Sequence, residues 1–159
     1  RYWYHLMLIE SIHPKNCLDL ANIHNNLAGI LKENGSYRRA IQHYKIAEKL
    51  YLKSVKYNHL FVSPTYINLG NIYRLKRKYD QALKYHLKAL EIREKSLDEN
   101  DLQLAESLVE VALTYHEMGL NISSIPLLER TKNIYLNNQI PTNHPKFIRL
   151  QQALDVCLK

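Results

Sequence analysis

The sequence predicts an all-α fold, a solenoid of stacked antiparallel helical hairpins. Three observations predict it. Glycine is scarce at 4 and proline at 5 among 159 residues, while 46% are hydrophobic, a balance that favours long helices over a loop-rich β fold. Apolar residues recur at the 3.6-residue helical period. The chain also repeats itself at an offset of 42 residues, and a fixed period of this size marks a repeat array.

The self-similarity is position by position. Asn26-Leu27-Ala28-Gly29-Ile30 returns 42 residues later as Asn68-Leu69-Gly70-Asn71-Ile72. Tyr37 falls on Tyr79, Ala40 on Ala82, Ile41 on Leu83 and Ala47 on Ala89. In a third copy, Val111-Ala112 matches Leu69-Gly70, Tyr115 matches Tyr73, Leu127 matches Tyr85 and Ile134 matches Ile92.

The period divides the single domain, residues 1–159, into elements in order. Residues 1–13 fall where the second helix of a preceding repeat belongs, with Tyr2 in register with Tyr44. Repeat 1 spans 16–57 and turns at Asn34-Gly35-Ser36. Repeat 2 spans 58–99. There Ser63 suits an N-cap and Pro64 the first helical position; Tyr66, Leu69, Ile72 and Tyr73 follow at helical spacing. Arg74 to Lys78, with four charges, ends that helix, and Asp80 is expected to cap the next, which carries Leu83, Leu87, Leu90 and Ile92. Repeat 3 spans 100–141 and turns at Gly119-Leu120-Asn121, with Pro126 expected in the first turn of its second helix. Residues 142–159 form a terminal helix of a further repeat or a cap, carrying Ile148, Leu150, Leu154, Val156 and Cys157.

Small residues share repeat positions: Ala28, Gly70 and Ala112; Ala40, Ala82 and Ser124; Ala47, Ala89 and Thr131. Small side chains there let two helices approach closely while Leu, Ile and Tyr fill the space around them. One hairpin cannot bury its apolar face, so the copies must stack. Most of the 12 tyrosines, including Tyr44, Tyr51, Tyr66, Tyr73, Tyr79, Tyr85, Tyr115 and Tyr135, fall at these packing positions and are expected in the core.

The spacing of Leu27-Ala28, Ala40, Tyr44 and Ala47, and of Leu69-Gly70, Tyr73, Ala82 and Ala89, resembles the tetratricopeptide repeat. The resemblance implies a right-handed α–α superhelix and a non-enzymatic role. The 42-residue period is similar to that of the kinesin light chains, as are Ser124-Ile125-Pro126-Leu127-Leu128 and the pairs His13-Pro14 and His144-Pro145. Leu31 and His86 depart from the aromatic positions of the pattern.

Charge is uneven. Residues 1–97 carry 17 Lys and Arg against 7 Asp and Glu, while 98–159 carry 5 against 8. No run of apolar residues is long enough to span a membrane. The start does not read as a signal peptide, and without an initiator methionine the chain is expected to be a piece of a longer protein. Cys17 and Cys157, too few for a disulfide framework, are expected as small buried hydrophobes of a reducing compartment, which places the chain in the cytoplasm. No catalytic motif, metal-ligand cluster or phosphate loop is present, so the chain is read as no enzyme, with no cofactor and no metal. His43 with Glu48, and His116 with Glu117, are expected to be solvated helix residues rather than acid–base pairs. Cys17 with His13 is the weaker nucleophile candidate, with no third group to orient it.

The resemblance implies that the first helix of each hairpin lines a concave groove. The inward positions are Asn22, Asn25, Asn26, Gly29 and Lys32 in repeat 1; Ile67, Asn68, Asn71 and Arg74 in repeat 2; and Glu106, Val109, Glu110, Leu113 and His116 in repeat 3. An asparagine amide offers both donor and acceptor, and so suits the backbone of an extended peptide. Lys32 and Arg74 suit acidic side chains, and Glu106 and Glu110 a basic end. A clamp for a chaperone's terminal carboxylate is not expected: Asn68 matches that pattern, but Asn25, Gly29, Glu106 and Glu110 depart from it, and two carboxylates repel a third. The expected function is a protein–protein interaction module holding an extended, partly acidic partner peptide. The alternatives are a structural segment that self-associates, or closes on itself, through its repeat ends, and nucleic-acid binding through the basic half with its Tyr37-Arg38-Arg39 and Arg74-to-Lys78 clusters.

Overall fold

The computed structural model describes residues 17–54 and 59–159. The helix expected over 1–13, and His13 with its neighbours Pro14 and Cys17's proposed partnership, lie outside the described residues. Among the described residues there are seven α-helices, one 3-10 turn and no strand. They are α1 (Cys17–Glu33), α2 (Tyr37–Lys53), the 3-10 turn His59–Val62, α3 (Ser63–Leu75), α4 (Tyr79–Ser96), α5 (Leu102–Glu117), α6 (Asn121–Asn137) and α7 (Pro145–Cys157). The fold is an all-α helical repeat, as the period predicts.

Four of the seven described helices, α1, α3, α5 and α6, stop by one device. Gly35 and Gly119 adopt left-handed φ values of 73° and 77°, and Arg77 and Gln139 do the same at 56°. In each case two hydrogen bonds close the turn. Ser36 N reaches Leu31 O and Gly35 N reaches Lys32 O; the pairs at Lys78, Leu120 and Ile140 repeat the pattern. This is the Schellman arrangement, which satisfies carbonyls left over at a helix end. Glycine reaches this backbone region without steric cost, so the sequence shows two of the four stops and hides the other two.

Three local expectations are corrected. Ser63 is the first residue of α3, and its Oγ donates back to Leu60 O at 3.0 Å, because the 3-10 turn already leads the chain into the helix. Lys78, not Asp80, is the N-cap of α4; Asp80 sits in the first turn, where its charge still complements the helix dipole. Pro126 lies inside α6, which begins five residues earlier at Asn121. The carbonyl it leaves without an amide belongs to Ile122, which is 88% exposed, so water can take the place of the missing donor. At α7, His144 is the N-cap, with Nδ1 accepting from Lys146 N at 3.1 Å, and Pro145 follows.

The chain divides into two compact units between Asn68 and Leu69. In the first, α1 packs along α2. Ala21, Ala28, Ala40 and Ala47 are fully buried in this unit, with Tyr44 among them. In the second, α5 packs on α4 and α6, and α7 packs on α6. Its core gathers Leu104, Leu108, Leu128, Leu150, Leu154 and Phe147. Every shared small position is buried in both units. Where repeat 3 carries a hydroxyl instead of a methyl, a backbone carbonyl accepts it: Ser124 Oγ donates to Ala112 O at 2.7 Å, and Thr131 Oγ1 to Leu127 O at 2.9 Å. On α7, Leu150, Leu154 and Cys157 are buried, whereas Ile148 and Val156 are exposed. Cys17 is half-buried, not buried.

His43 is not the solvated residue expected. It is buried against His24, with the Nδ1 atoms 2.8 Å apart and the rings stacked at 5.1 Å. At that distance one Nδ1 donates and the other accepts, so the two rings cannot both be imidazolium. Burial, and then the Arg39 charge, hold His43 below the ordinary histidine range. A lowered folded-state pKa favours the neutral ring. The stability it contributes is therefore complete above the unfolded histidine value near 6.5 and falls as pH drops through that value toward the folded one. The urea midpoint is expected to fall between pH 7.5 and pH 5.5. A His24→Leu/His43→Leu variant, which copies Leu108 and Leu127 of repeat 3, is expected to flatten that fall. An equal fall in both proteins counts against the histidine pair as its source.

Candidate functional site

The expected groove residues of repeat 1 follow one another at spacings of three and four along α1, and so share a helix face. In the first unit several of them are tied to neighbouring elements. Asn22 Oδ1 accepts from Tyr51 Oη at 2.6 Å, and Asn25 Oδ1 accepts from buried Thr65 Oγ1 at 2.8 Å. Lys32 Nζ donates to Asn68 Oδ1 at 2.7 Å. Asn25, Asn26, Lys32 and Asn68 come together with Gly29 and Tyr44 around one recess of about 380 Å³. Asn26 is exposed at its edge and Asn22 lies outside it. Ile67, expected to face inward, is buried.

In the second unit the expected residues form an ion-pair network. Arg74 Nη2 donates to Glu110 Oε2 at 3.0 Å and to Asn71 Oδ1 at 3.2 Å, and its Nη1 donates to Glu117 Oε1 at 3.3 Å. Arg74 therefore spends its charge on two carboxylates of α5. Glu106 receives a hydrogen bond of 2.8 Å from Arg93, whose own side chain is almost fully buried. The same guanidinium nitrogen, Nη1, donates to Gln103 O at 2.7 Å and to Ser107 Oγ at 2.9 Å.

Glu106 and Glu110 border a recess of about 430 Å³ between α5 and α7. Val109, Leu113, Leu128 and Leu150 give it an apolar lining, and Lys146 and Arg149 bring positive charge. The recess thus offers both signs of charge beside apolar surface. His116 is not part of it. It lines a smaller recess of about 240 Å³ with Cys157, 3.7 Å away, while its Nδ1 donates to Asn121 Oδ1 at 2.8 Å.

Sequence reasoning missed Lys146 and Arg149, because it assigned inward positions only to the three complete hairpins. A signal was present: Arg149 stands 42 residues after Ser107, which itself stands 42 after Thr65, and both of those meet the preceding helices. Arg93 and Tyr44 were missed because they belong to second helices. Among the described residues, no group of three or more His, Cys, Asp or Glu side chains is placed to hold a metal. No described helix is long and apolar enough to cross a membrane.

The tetratricopeptide repeat family model matches residues 19–94 and 61–137. No curated protein matches the chain. Among solved structures, BtubC (BKLC) from P. vanneervenii is similar at 24% identity and a TM-score of 0.75, over 91% of this chain and 57% of that one. This chain therefore spans little more than half of BtubC. A Podosopora anserina protein described as a kinesin light chain with nearly identical TPR-like repeats matches at 19% identity and a TM-score of 0.76, over 92% of this chain and 67% of that one. The N-terminal domain of stress-induced protein-1 (STI-1) from C. elegans matches at 15% identity and a TM-score of 0.62, over 86% of this chain and 96% of that one. The chain belongs to the tetratricopeptide repeat family, and its fold is similar to that of the kinesin light chain-like repeat structure.

Proposed function

We propose that this chain is a non-enzymatic adaptor that holds an extended peptide of a partner protein. Tetratricopeptide repeats mediate protein–protein interaction in general. What carries the reading here is the recess of the first unit, where Asn25, Asn26, Lys32 and Asn68 meet. Side-chain amides and one ammonium group suit a peptide backbone with acidic side chains. The second recess adds apolar surface for a large side chain, with Lys146 and Arg149 available to a carboxylate and Glu106 and Glu110 to a cation.

Short acidic peptides containing an aromatic residue are the first probes. Binding by fluorescence anisotropy is expected in the micromolar range, weakened about tenfold or more in an Asn26→Ala/Asn68→Ala variant that loses two hydrogen-bonding amides. Circular dichroism on the same samples separates lost binding from lost folding. Unchanged affinity in a folded double variant would remove the asparagines from the site.

A further inference from the structure

Tyr44 is fully buried, and its Oη has no hydrogen-bond partner among the described residues. Leaving a buried hydroxyl unsatisfied costs on the order of 1–3 kcal/mol, so such a group calls for an account. Tyr44 lines the recess shared by Asn25, Asn26, Lys32 and Asn68. Gly29 lies between: a Cβ built on it would stand 3.8 Å from Tyr44 Oη. The hydroxyl is therefore just behind the one lining residue that has no side chain.

The other repeats do not share this arrangement. The residues 42 and 84 positions after Tyr44 are His86 and Leu128. His86 bonds Thr114, and leucine has no polar atom. The positions matching Gly29 are Asn71 and Leu113, whose side chains would cover such an opening. Among the described residues of the three complete repeats, only repeat 1 combines a deep donor with an open roof.

We propose that Tyr44 Oη is a donor of the binding site and that, through the opening at Gly29, it bonds a carbonyl oxygen of the bound peptide. This rests on the peptide-binding reading above and deepens it to one atom. Burial, and then the charge of Glu33, push the Tyr44 hydroxyl up to about 12. It stays protonated at neutral pH, and so requires an acceptor. The oxygen is closed to water in the unbound chain, so the peptide must displace a side chain to reach it. Lys32, a long side chain held to Asn68 by a hydrogen bond, is the movable wall.

The test uses the tightest-binding acidic peptide selected on the wild-type chain. Tyr44→Phe keeps the ring and deletes the donor. It is expected to weaken binding about tenfold with a urea midpoint equal to or above the wild type. Gly29→Leu, the residue of repeat 3, is expected to weaken binding at least as much while the chain stays folded. Tyr44→Phe binding as tightly as wild type, while Asn26→Ala/Asn68→Ala binds weakly, overturns this inference and leaves the adaptor reading standing. No peptide binding to the wild-type chain overturns both.

Discussion

A Gly70→Ala variant is expected to lose about 2 kcal/mol of folding stability, although propensity alone predicts a gain. Replacing glycine by alanine inside a helix is worth about 1 kcal/mol in the favourable direction. Against this, a Cβ on Gly70 would stand 2.2 Å from both Cδ2 and Nε2 of His86. The ring cannot retreat easily. It is fully buried, and its Nδ1 lies 2.9 Å from Thr114 Oγ1. That hydroxyl gives its own hydrogen to Glu110 O at 2.8 Å, so His86 is the donor to it, and any shift breaks the bond. Overpacking of this severity costs about 3 kcal/mol and outweighs the propensity gain. Repeat 3 shows the compatible pair, Ala112 with Leu128. Gly70→Ala/His86→Leu is therefore expected to recover most of the loss, a coupling that urea denaturation of the four proteins measures as a double-mutant cycle. A single Gly70→Ala variant with a raised midpoint would sink this account.

Arg93→Ala is expected to cost about 3 kcal/mol. The side chain fills buried space, and its removal leaves a cavity. It also orphans the Ser107 hydroxyl, which is fully buried, and strips a donor from the Gln103 carbonyl. Glu106→Gln isolates the charge of the pair. The glutamate side chain is 55% exposed, so water screens it; the amide oxygen keeps an acceptor for Arg93, and the loss is expected to stay below about 1 kcal/mol. Arg93→Lys supplies a single ammonium in place of a planar fork and is expected to fall between the two. Thermal denaturation of the three variants orders them. Glu106→Gln costing as much as Arg93→Ala would mean that the ion pair, rather than packing and hydroxyl satisfaction, holds α4 to α5.

The repeat was legible because its signals are local and recur. Small residues at fixed offsets mark close helix contacts, and all of those residues are buried. Gly35 and Gly119 mark two helix stops. The stops at Arg77 and Gln139 were hidden, since the closing hydrogen bonds there involve backbone atoms and hold residues with no visible preference for the conformation. His43 was misjudged because histidine is polar in composition yet packs like an aromatic ring when a second ring supplies its hydrogen bond. The site was legible as a face of α1 and as residue types. It was not legible as a set of partners. Nothing in the spacing of Arg74 and Glu110 announces that each neutralises the other, and a hydroxyl behind a glycine can be seen only when the second helix is in place.

The ties from one repeat to the next are of similar reach along the chain. Lys32 to Asn68 spans 36 residues, Asn25 to Thr65 40, Arg74 to Glu117 43, and His116 to Cys157 41. Most other contacts lie much closer in sequence, within helices and between neighbouring helices, which keeps the contact order low and is associated with rapid folding. The ties between repeats also set a schedule during synthesis. At ribosomal rates of roughly 5–20 residues per second, a first helix waits only about 2–8 s for the helix that closes over it. The apolar face of each new hairpin is thus open for one repeat's worth of translation, and the segment most exposed to aggregation moves along the chain with the growing end.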